Sequence, residues 1–257
     1  MRTVAVIQAR MGSSRLPGKV LLPILGRPML QRQIERIRRV GAIDRVVVAT
    51  SDLPADDPIA RFCEEIEAAC HRGNEQDVLD RFLGAALAHE ADTVLRFTAD
   101  CPLVDPGLVA RLIEEFRGRE LDYMGIATGA GVAREGFQGR YPDGLDAEIM
   151  SFEALERAWQ EAEGPLYREH VTPWIWKHPD RFRVGELASE TDHSGERWTV
   201  DHESDYRLVS AIFERLYPGK PEFDYRDVLE LLEREIDLRP INREHNDIQE
   251  NYKEFLE

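Results

Sequence analysis

Residues 8–20 read QARMGSSRLPGKV and follow directly on the apolar run TVAVI. The stretch contains the cations Arg10, Arg15 and Lys19, together with two glycines, two serines and a proline. The chain as a whole is acidic, with a formal net charge of -16. An anion that binds such a protein must be held by a few placed cations, because the rest of the surface repels it. The stretch therefore indicates a local anion site after the first strand.

The rest of the first half alternates short apolar runs with amphipathic stretches. Parallel strands need long crossovers, usually helices, so this alternation predicts an α/β fold with a mainly parallel sheet flanked by helices. The predicted strands are TVAVIQA, RVVVATS, DTVLRFTAD and DYMGIAT. The predicted helices are PMLQRQIERIRRVG, DDPIARFCEEIEAA (capped by Asp56 or Asp57), EQDVLDRFLGAALAHE and DPGLVARLIEEFRG.

The pattern changes between Gly125 and Gly144, where a glycine-rich stretch predicts a loop or a small β insertion. Beyond it we expect the helices FEALERAWQEA, ESDYRLVSAIFERLY and DVLELLEREI and the strands FRVGEL and RWTV. We find no internal repeat or linker, so residues 1–241 are expected to form a single α/β domain. The polar tail 242–257 is expected to pack on that domain or on a partner subunit in a homodimer.

Composition excludes several classes of function. With 49 acidic and 33 basic residues, broad binding to nucleic acid or to an anionic membrane is not expected. The opening segment is too short and too polar for a signal peptide, and no apolar run approaches membrane length. The three cysteines, Cys63, Cys70 and Cys101, lack metal-site spacing and favour a reduced, cytoplasmic setting.

The opening loop is suited to phosphate. Gly12 and Gly18 allow close approach of the backbone, and exposed amides beside cations form an anion-binding cradle. It is not a Walker A loop, because one residue too many separates the glycines and Val20 stands where that motif has a hydroxyl. The dinucleotide motif GxGxxG is also absent. The alternative is an ordinary solvated basic loop.

Two aspartates follow similar β-prone runs: RFTAD ends at Asp100, and RWTVD ends at Asp201. If both runs are strands of one sheet, both carboxylates emerge at its ligand-binding edge beside Arg10 and Lys19. One or two carboxylates beside substrate phosphates are what Mg²⁺ requires. The alternative is that each aspartate is a helix N-cap.

Six blocks carry a resemblance to a known family: QARMGSSRLPGKVL, RGNEQDVLDRF, TADCPLVDP, YPDGLDAEIMSFEAL, REHVTPWI and RWTVDHESDY. Together they resemble the cytidylyltransferases of spore-coat polysaccharide synthesis, the SpsF-like branch. This branch is similar to the enzymes that make CMP-activated 3-deoxy-manno-octulosonate and CMP-sialic acid. The resemblance implies a nucleotide-diphospho-sugar transferase-like, Rossmann-like fold. It also implies Mg²⁺-dependent transfer of CMP from CTP to the hydroxyl of a sugar, expected to be acidic, with release of pyrophosphate.

The resemblance also assigns roles to residues. Arg10, Lys19, Asp100 and Asp201 would be catalytic, with both aspartates holding Mg²⁺. Nucleotide binding would involve Arg10, Ser13, Ser14, Arg15, Lys19 and Asp100, with Arg72 and Gly73 near the base or ribose. The acceptor side would contain Asp143, Asp146, Glu148, Arg168 and His170.

Some alternatives stay open at this point. His170 is a candidate acid or base, and the alternative is a structural histidine. Cys101 is rejected as a nucleophile, because the adjacent Asp100 raises the pKa of its thiol. A glycosyltransferase that uses a nucleotide-sugar donor is the competing enzyme class, and a nucleotide-binding regulator is the non-enzymatic one.

Overall fold

The computed structural model describes residues 1–128 and 140–245. Its strands are β1 Thr3–Gln8, β2 Pro23–Ile24, β3 Arg27–Pro28, β4 Arg45–Ser51, β5 Ala69–Gly73, β6 Thr93–Thr98, β7 Tyr123–Ile126, β8 Glu148–Ser151 and β9 Val184–Leu187. Its α-helices are α1 Met29–Ile37, α2 Asp57–Glu65, α3 Val78–Ala88, α4 Pro106–Gly118, α5 Phe152–Glu161, α6 Pro165–His170, α7 Pro173–Trp176, α8 Glu203–Leu216 and α9 Tyr225–Arg234. Short 3-10 helices cover Lys19–Leu21, Pro54–Asp56 and Arg239–His245.

In these ranges the main sheet has seven strands in the order β5-β4-β1-β6-β8-β7-β9. Strands β5, β4, β1 and β6 run parallel, whereas β8 is antiparallel to both of its neighbours. The chain moves from β1 to β4 on one side and later returns to place β6 on the other. Ligands bind at such a switch point, beyond the carboxyl ends of the strands. The predicted mainly parallel α/β sheet is confirmed.

Both faces of β1 are buried, which explains the unbroken apolar run that precedes the opening loop. Val4 and Val6 belong to the core layer under α3, α5 and α7. Ala5 and Ile7 belong to the layer under α1, α2, α4, α8 and α9. A strand fixed on both faces is a rigid support for the loop that follows it.

The structure differs from the sequence predictions in several places. Strands β5 and β8 were not predicted, and neither were the short elements β2, β3, α6 and α7. The segment RWTV, predicted as a strand, lies outside the sheet and forms only an isolated bridge between Arg197 and Asp143 among the described residues. Asp56 stands at the N-cap of α2, but its side chain makes no capping hydrogen bond, and Asp57 is the first residue of the helix. The predicted carboxylate cap is therefore wrong, because Asp56 binds other donors.

Two predicted segments lie partly outside the described residues. Of the loop or β insertion predicted at 125–144, residues 129–139 are not described, and a bridge joins Thr128 to Tyr141 on either side of them. Of the predicted tail, residues 246–257 are not described, while its first residue, Asn242, is buried. No helix in the described ranges is long and apolar enough to cross a membrane.

Candidate active site

A pocket opens at the carboxyl ends of β1 and β6, which finish together because Gln8 and Thr98 are paired in register. Its lining consists of Gln8, Ala9, Arg10, Gly12, Ser13, Ser14, Arg15, Lys19, Val20, Thr98, Ala99, Asp100 and Asp201. The fold thus brings the opening loop and both predicted aspartates to one place, at the switch point of the sheet. The lining includes all four residues expected to be catalytic.

Lys19 lies at the centre of the charged groups in this pocket. Its Nζ donates to Asp100 Oδ2 at 3.0 Å, to Asp201 Oδ1 at 2.9 Å and to the Val200 carbonyl at 2.7 Å. Burial alone would lower the pKa of Lys19, but the two carboxylates outweigh it and raise that pKa. The side chain is therefore a buried ammonium ion that links the two aspartates. Gly18, with φ of 69°, supplies the left-handed turn that leads into it.

Asp201 is surrounded by cations. Arg15 Nη2 lies 3.3 Å from its Oδ1, and Arg197 Nη2 lies 2.9 Å from its Oδ2. Burial would raise the pKa of Asp201, but Lys19, Arg15 and Arg197 together hold that pKa at about 2. The carboxylate is therefore ionised over the whole physiological range of pH.

The two aspartates meet without both belonging to the sheet. The Val200 amide donates to the Asp100 carbonyl at 2.8 Å, and this bond places Asp201 beside the end of β6. Neither aspartate is a helix cap, since the N-cap positions of α4 and α8 are taken by Asp105 and His202. The N-cap alternative is thus excluded.

The donor set fits a magnesium ion. Asp100 and Asp201 both contact the ammonium group of Lys19 and both line the pocket. Their side chains are 28% and 18% exposed, so both remain accessible to a ligand. Mg²⁺ is commonly held by one or two carboxylates, with water and substrate phosphates completing its shell. The described residues contain no group of three or more His, Cys, Asp or Glu side chains that could hold a metal by themselves.

Arg197 is a site residue that the sequence analysis missed. Its guanidinium is buried and pairs with Asp143 at 3.0 Å, with Asp201 at 2.9 Å and with Asp205 at 3.3 Å. Burial would lower the pKa of Arg197, but Asp143 and Asp205 outweigh it and raise that pKa. Asn242 donates to the Arg197 carbonyl at 2.9 Å and to Asp205 Oδ1 at 2.8 Å. One buried arginine thus orients the carboxylate of Asp201.

Glu148, expected on the acceptor side, is tied to the pocket through a second arginine. Arg96 Nη1 donates to Glu148 Oε2, and Arg96 Nη2 donates to Gln8 Oε1 at 3.2 Å. Thr172 Oγ1 donates to Glu148 Oε1 at 2.6 Å, and the hydroxyl of Tyr123 donates to the same oxygen. Because Gln8 lines the pocket, this network extends from it across β1, β6, β8 and β7.

The other acceptor-side residues on the YPDGLD block have structural partners. Asp143 pairs with Arg197, and Asp146 accepts from Thr128 Oγ1 and from the Gly144 amide. Gly144 has φ of 99°, and a Cβ there would lie 2.4 Å from the Thr199 amide nitrogen. Only glycine fits this close approach, which packs the block against the segment that leads to Asp201.

Like Asp143, Asp146 and Glu148, the four remaining predicted site residues are not among those that line the pocket. Arg168 Nε donates to Asp77 Oδ2 at 2.9 Å. Because Asp77 is the N-cap of α3, this bond connects α6 to the start of α3. His170 ends α6, one residue before Val171 at φ of 71°.

Arg72 and Gly73 lie in β5. Arg72 Nε donates to the Ser51 carbonyl at 2.9 Å, and its Nη1 pairs with Asp57 Oδ1 at 2.8 Å. The Gly73 carbonyl accepts from the Asp52 amide at 2.9 Å. The roles expected for Arg72, Gly73, Arg168 and His170 stay predictions.

A mainly parallel α/β sheet with a cationic loop and two carboxylates at its switch point belongs to the Rossmann-like class, whose ligands bind at this position. The family model described as cytidylyltransferase matches residues 4–239. The chain therefore belongs to the cytidylyltransferase family, and the resemblance found in its sequence is confirmed.

Individual relatives and a solved structure agree with this family assignment. The chain is 33% identical to the spore coat polysaccharide biosynthesis protein SpsF of Bacillus subtilis, over 90% of this chain and 94% of that protein. A 3-deoxy-manno-octulosonate cytidylyltransferase of Syntrophobacter fumaroxidans is 40% identical over 44% of this chain and 46% of its own length. The structure of a cytidylyltransferase from Leptospira borgpetersenii superposes with a TM-score of 0.84 at 28% identity, covering 93% of this chain and 97% of that one.

Proposed function

We propose that this chain transfers CMP from CTP to the hydroxyl of a small sugar, expected to be a sugar acid, and releases pyrophosphate for surface polysaccharide biosynthesis. The observation that carries the proposal is the meeting of Lys19 with Asp100 and Asp201 in the pocket lined by the opening loop. Such transfers involve little covalent work by the protein, so positioning and neutralisation of charge dominate.

We assign the triphosphate of CTP to the opening loop. Arg10 is exposed and forms no hydrogen bond or ion pair with another residue in 1–128 or 140–245, so its guanidinium is available to phosphate oxygens. Lys19 and Arg15 already face Asp201 and would divide their charge between carboxylate and phosphate. The Ser13 amide donates to the Met11 carbonyl at 3.0 Å, so the backbone contribution falls to Ser14 and its neighbours.

Asp100 and Asp201 would hold Mg²⁺, because they are the carboxylates that converge in the pocket. When bound, the ion would neutralise phosphate charge and lower the pKa of the attacking hydroxyl. Lys19 and Arg10 would stabilise negative charge on the departing pyrophosphate, since both lie on the loop side of the pocket.

The acceptor sugar would lie on the side of β8. Glu148 is held by three donors and is connected to the pocket through Arg96 and Gln8, which makes it our choice for contact with an acceptor hydroxyl. Arg72 and Gly73 are proposed near the base or ribose, and Asp143, Asp146, Arg168 and His170 near the acceptor, in line with the family resemblance. A cytoplasmic setting is supported by the three cysteines, none of which forms a disulfide.

The test is a pyrophosphate-release screen of the four nucleoside triphosphates against acidic and neutral sugars, with and without Mg²⁺. We expect release with CTP and a sugar acid in the presence of Mg²⁺. The Asp100→Asn variant, purified in parallel, controls for a contaminating enzyme. Absence of pyrophosphate release with every pair would contradict the proposal. Transfer of a sugar from a nucleotide-sugar donor, measured in parallel, would favour a glycosyltransferase instead.

A further inference from the structure

Asp56 is a buried carboxylate with no role in its own helix. It is 3% exposed and lies in the 3-10 turn Pro54–Asp56, directly before α2. Burying a carboxylate is unfavourable unless it accepts hydrogen bonds, so its partners show what holds it there. Asp56 Oδ1 accepts from the Met11 amide at 2.6 Å, and Oδ2 accepts from the amide and the hydroxyl of Ser51.

Met11 is the residue at which the opening loop closes. Its carbonyl accepts from the Ser13 amide at 3.0 Å and from the Gly18 amide at 3.0 Å. The Met11 carbonyl therefore joins a residue near the start of the loop, Ser13, to one near its end, Gly18. Arg10 lies immediately before this closure and Lys19 immediately after Gly18. The bond from Asp56, 45 residues away in sequence, connects this closure to the segment that follows β4.

We propose that Asp56 is a positioning residue for the opening loop and sets the placement of Arg10 and Lys19 in the pocket. Asp56 is not among the residues that line the pocket, so it acts through Met11 rather than through a ligand. Its effect on catalysis depends on the proposed binding of CTP by the loop, whereas its effect on loop structure does not.

The groups around Asp56 require a carboxylate. An ionised carboxylate is a pure acceptor, and both backbone partners, Met11 and Ser51, are N–H donors. An asparagine would have to direct its own NH₂ group at one of these donors. The charge also strengthens the bond to Met11, because hydrogen bonds to ionised groups are stronger than neutral ones.

The experiment compares Asp56→Asn and Asp56→Ala with Ser51→Ala. The Ser51 variant removes the hydroxyl contact of Asp56 but leaves its bond to Met11. Hydrogen exchange is followed on peptides that cover residues 9–19, and the KM for CTP and kcat are measured on the same preparations. Melting temperature without ligand serves as the fold check for all three variants.

We expect exchange in residues 9–19 to rise about tenfold or more in Asp56→Asn and to stay at the parental rate in Ser51→Ala. The KM for CTP should rise about tenfold in Asp56→Asn, with a smaller change in kcat. Asp56→Ala should show the same pattern more strongly if it folds. Parental exchange and KM in both Asp56 variants, or equal changes in the Ser51 variant, would overturn the proposal. If the parent does not turn over CTP, the proposed function fails, and hydrogen exchange alone decides the role of Asp56.

Discussion

RFTAD and RWTVD place the same kinds of residue in the same order, yet their backbones are held in different ways. The first belongs to β6, whose ladder with β1 ends at Thr98, two residues before Asp100. The second lies outside the sheet and is attached by single hydrogen bonds, such as that from Val200 to Asp100. Asp100 forms an ion pair with Lys19, whereas Asp201 pairs with Lys19, Arg15 and Arg197.

The two carboxylates of the pocket are therefore held in place in two different ways. The sheet positions Asp100, and a network of charges positions Asp201. Removing the charge of Asp201 therefore leaves the buried guanidinium of Arg197 short of one partner, which costs stability as well as activity. Removing the charge of Asp100 should cost less stability, because Lys19 keeps Asp201 and the Val200 carbonyl as partners and β6 stays in place.

Neutralising each aspartate is the most direct test of the difference between them. Asp100→Asn and Asp201→Asn should each lower CTP turnover by about a hundredfold or more, because each removes one of the two carboxylates that would hold Mg²⁺, the ion that would neutralise phosphate charge. Asp201→Asn should also lower the melting temperature measured without ligand by more than Asp100→Asn does, because Asp201 pairs with three cations and Asp100 with one. Steady-state kinetics at limiting Mg²⁺ and thermal unfolding check both parts.

Near-native turnover in either variant would remove that residue from the metal site. Equal melting temperatures for the two variants would show that the cations around Asp201 do not distinguish it from Asp100.

The three loop cations provide a second test of the site, since two of them, Arg15 and Lys19, contact Asp201. Hydrogen bonds to charged groups are worth roughly 1.5–3 kcal/mol each. Arg10→Met and Lys19→Met should therefore weaken CTP binding or turnover by about ten- to a hundredfold. Arg15→Met should be milder, because its side chain is 51% exposed and its charge is partly screened by solvent.

The test measures kcat and KM for CTP at a temperature below the ligand-free unfolding transition of every variant, because Lys19→Met also removes buried ion pairs. If all three variants turn over CTP at the parental rate, the loop is a solvated basic surface and its assignment to the triphosphate fails.

Acid provides a smaller test of the network around Asp201. The pKa of its folded-state carboxyl is about 2, below the value of about 3.9 for an unfolded chain. A depressed pKa stabilises the folded state above the unfolded pKa, and this contribution is lost as the pH falls through the folded pKa. The stability difference between parent and Asp201→Asn should therefore shrink by about 2 kcal/mol between pH 5 and pH 2, in urea titrations without divalent ions. A difference that stays constant over this range would contradict the ion-pair account.

The smallest effect is expected at Cys101, which adjoins Asp100 in the chain. Burial, followed by the charge of Asp100, raises the pKa of this thiol, so it is neutral at physiological pH. Cys101→Ser should keep turnover within about threefold, because its weak contacts with Thr98 and Thr199 suit a hydroxyl as well. Loss of all turnover with unchanged CTP affinity would show that the thiol is required.

Much of this fold could be read from the sequence, because the buried strands of a parallel sheet are continuous apolar runs. β5 escaped prediction since ACHRG has neither such a run nor alternation, and β8 since EIMS is short and begins with Glu148. RWTV has the composition of a strand, but strand formation also needs a free sheet edge beside it. That information is in the tertiary structure and not in the segment itself.

The same holds for the site. The loop cations were predictable because their glycine-containing loop follows a β-prone run, and the two aspartates because each ends such a run. Arg197 was missed because an arginine is normally an exposed residue, although its counterpart Arg96 occupies the same position in RFTAD and also pairs with a carboxylate. Asp56 was taken for a helix cap because its bond to Met11 joins residues far apart in sequence.

The bond between Lys19 and Asp201 spans 182 residues, which has a consequence for how the protein is made. Synthesis proceeds at roughly 5–20 residues per second, so Asp201 follows Lys19 out of the ribosome by roughly ten to forty seconds. β1, β4 and β6 can pair during this interval, since the last of them ends at Thr98. A nascent or truncated chain thus has most of its parallel sheet and its cationic loop before it has the second carboxylate. Catalytic competence arrives late in translation, well after the scaffold that supports it.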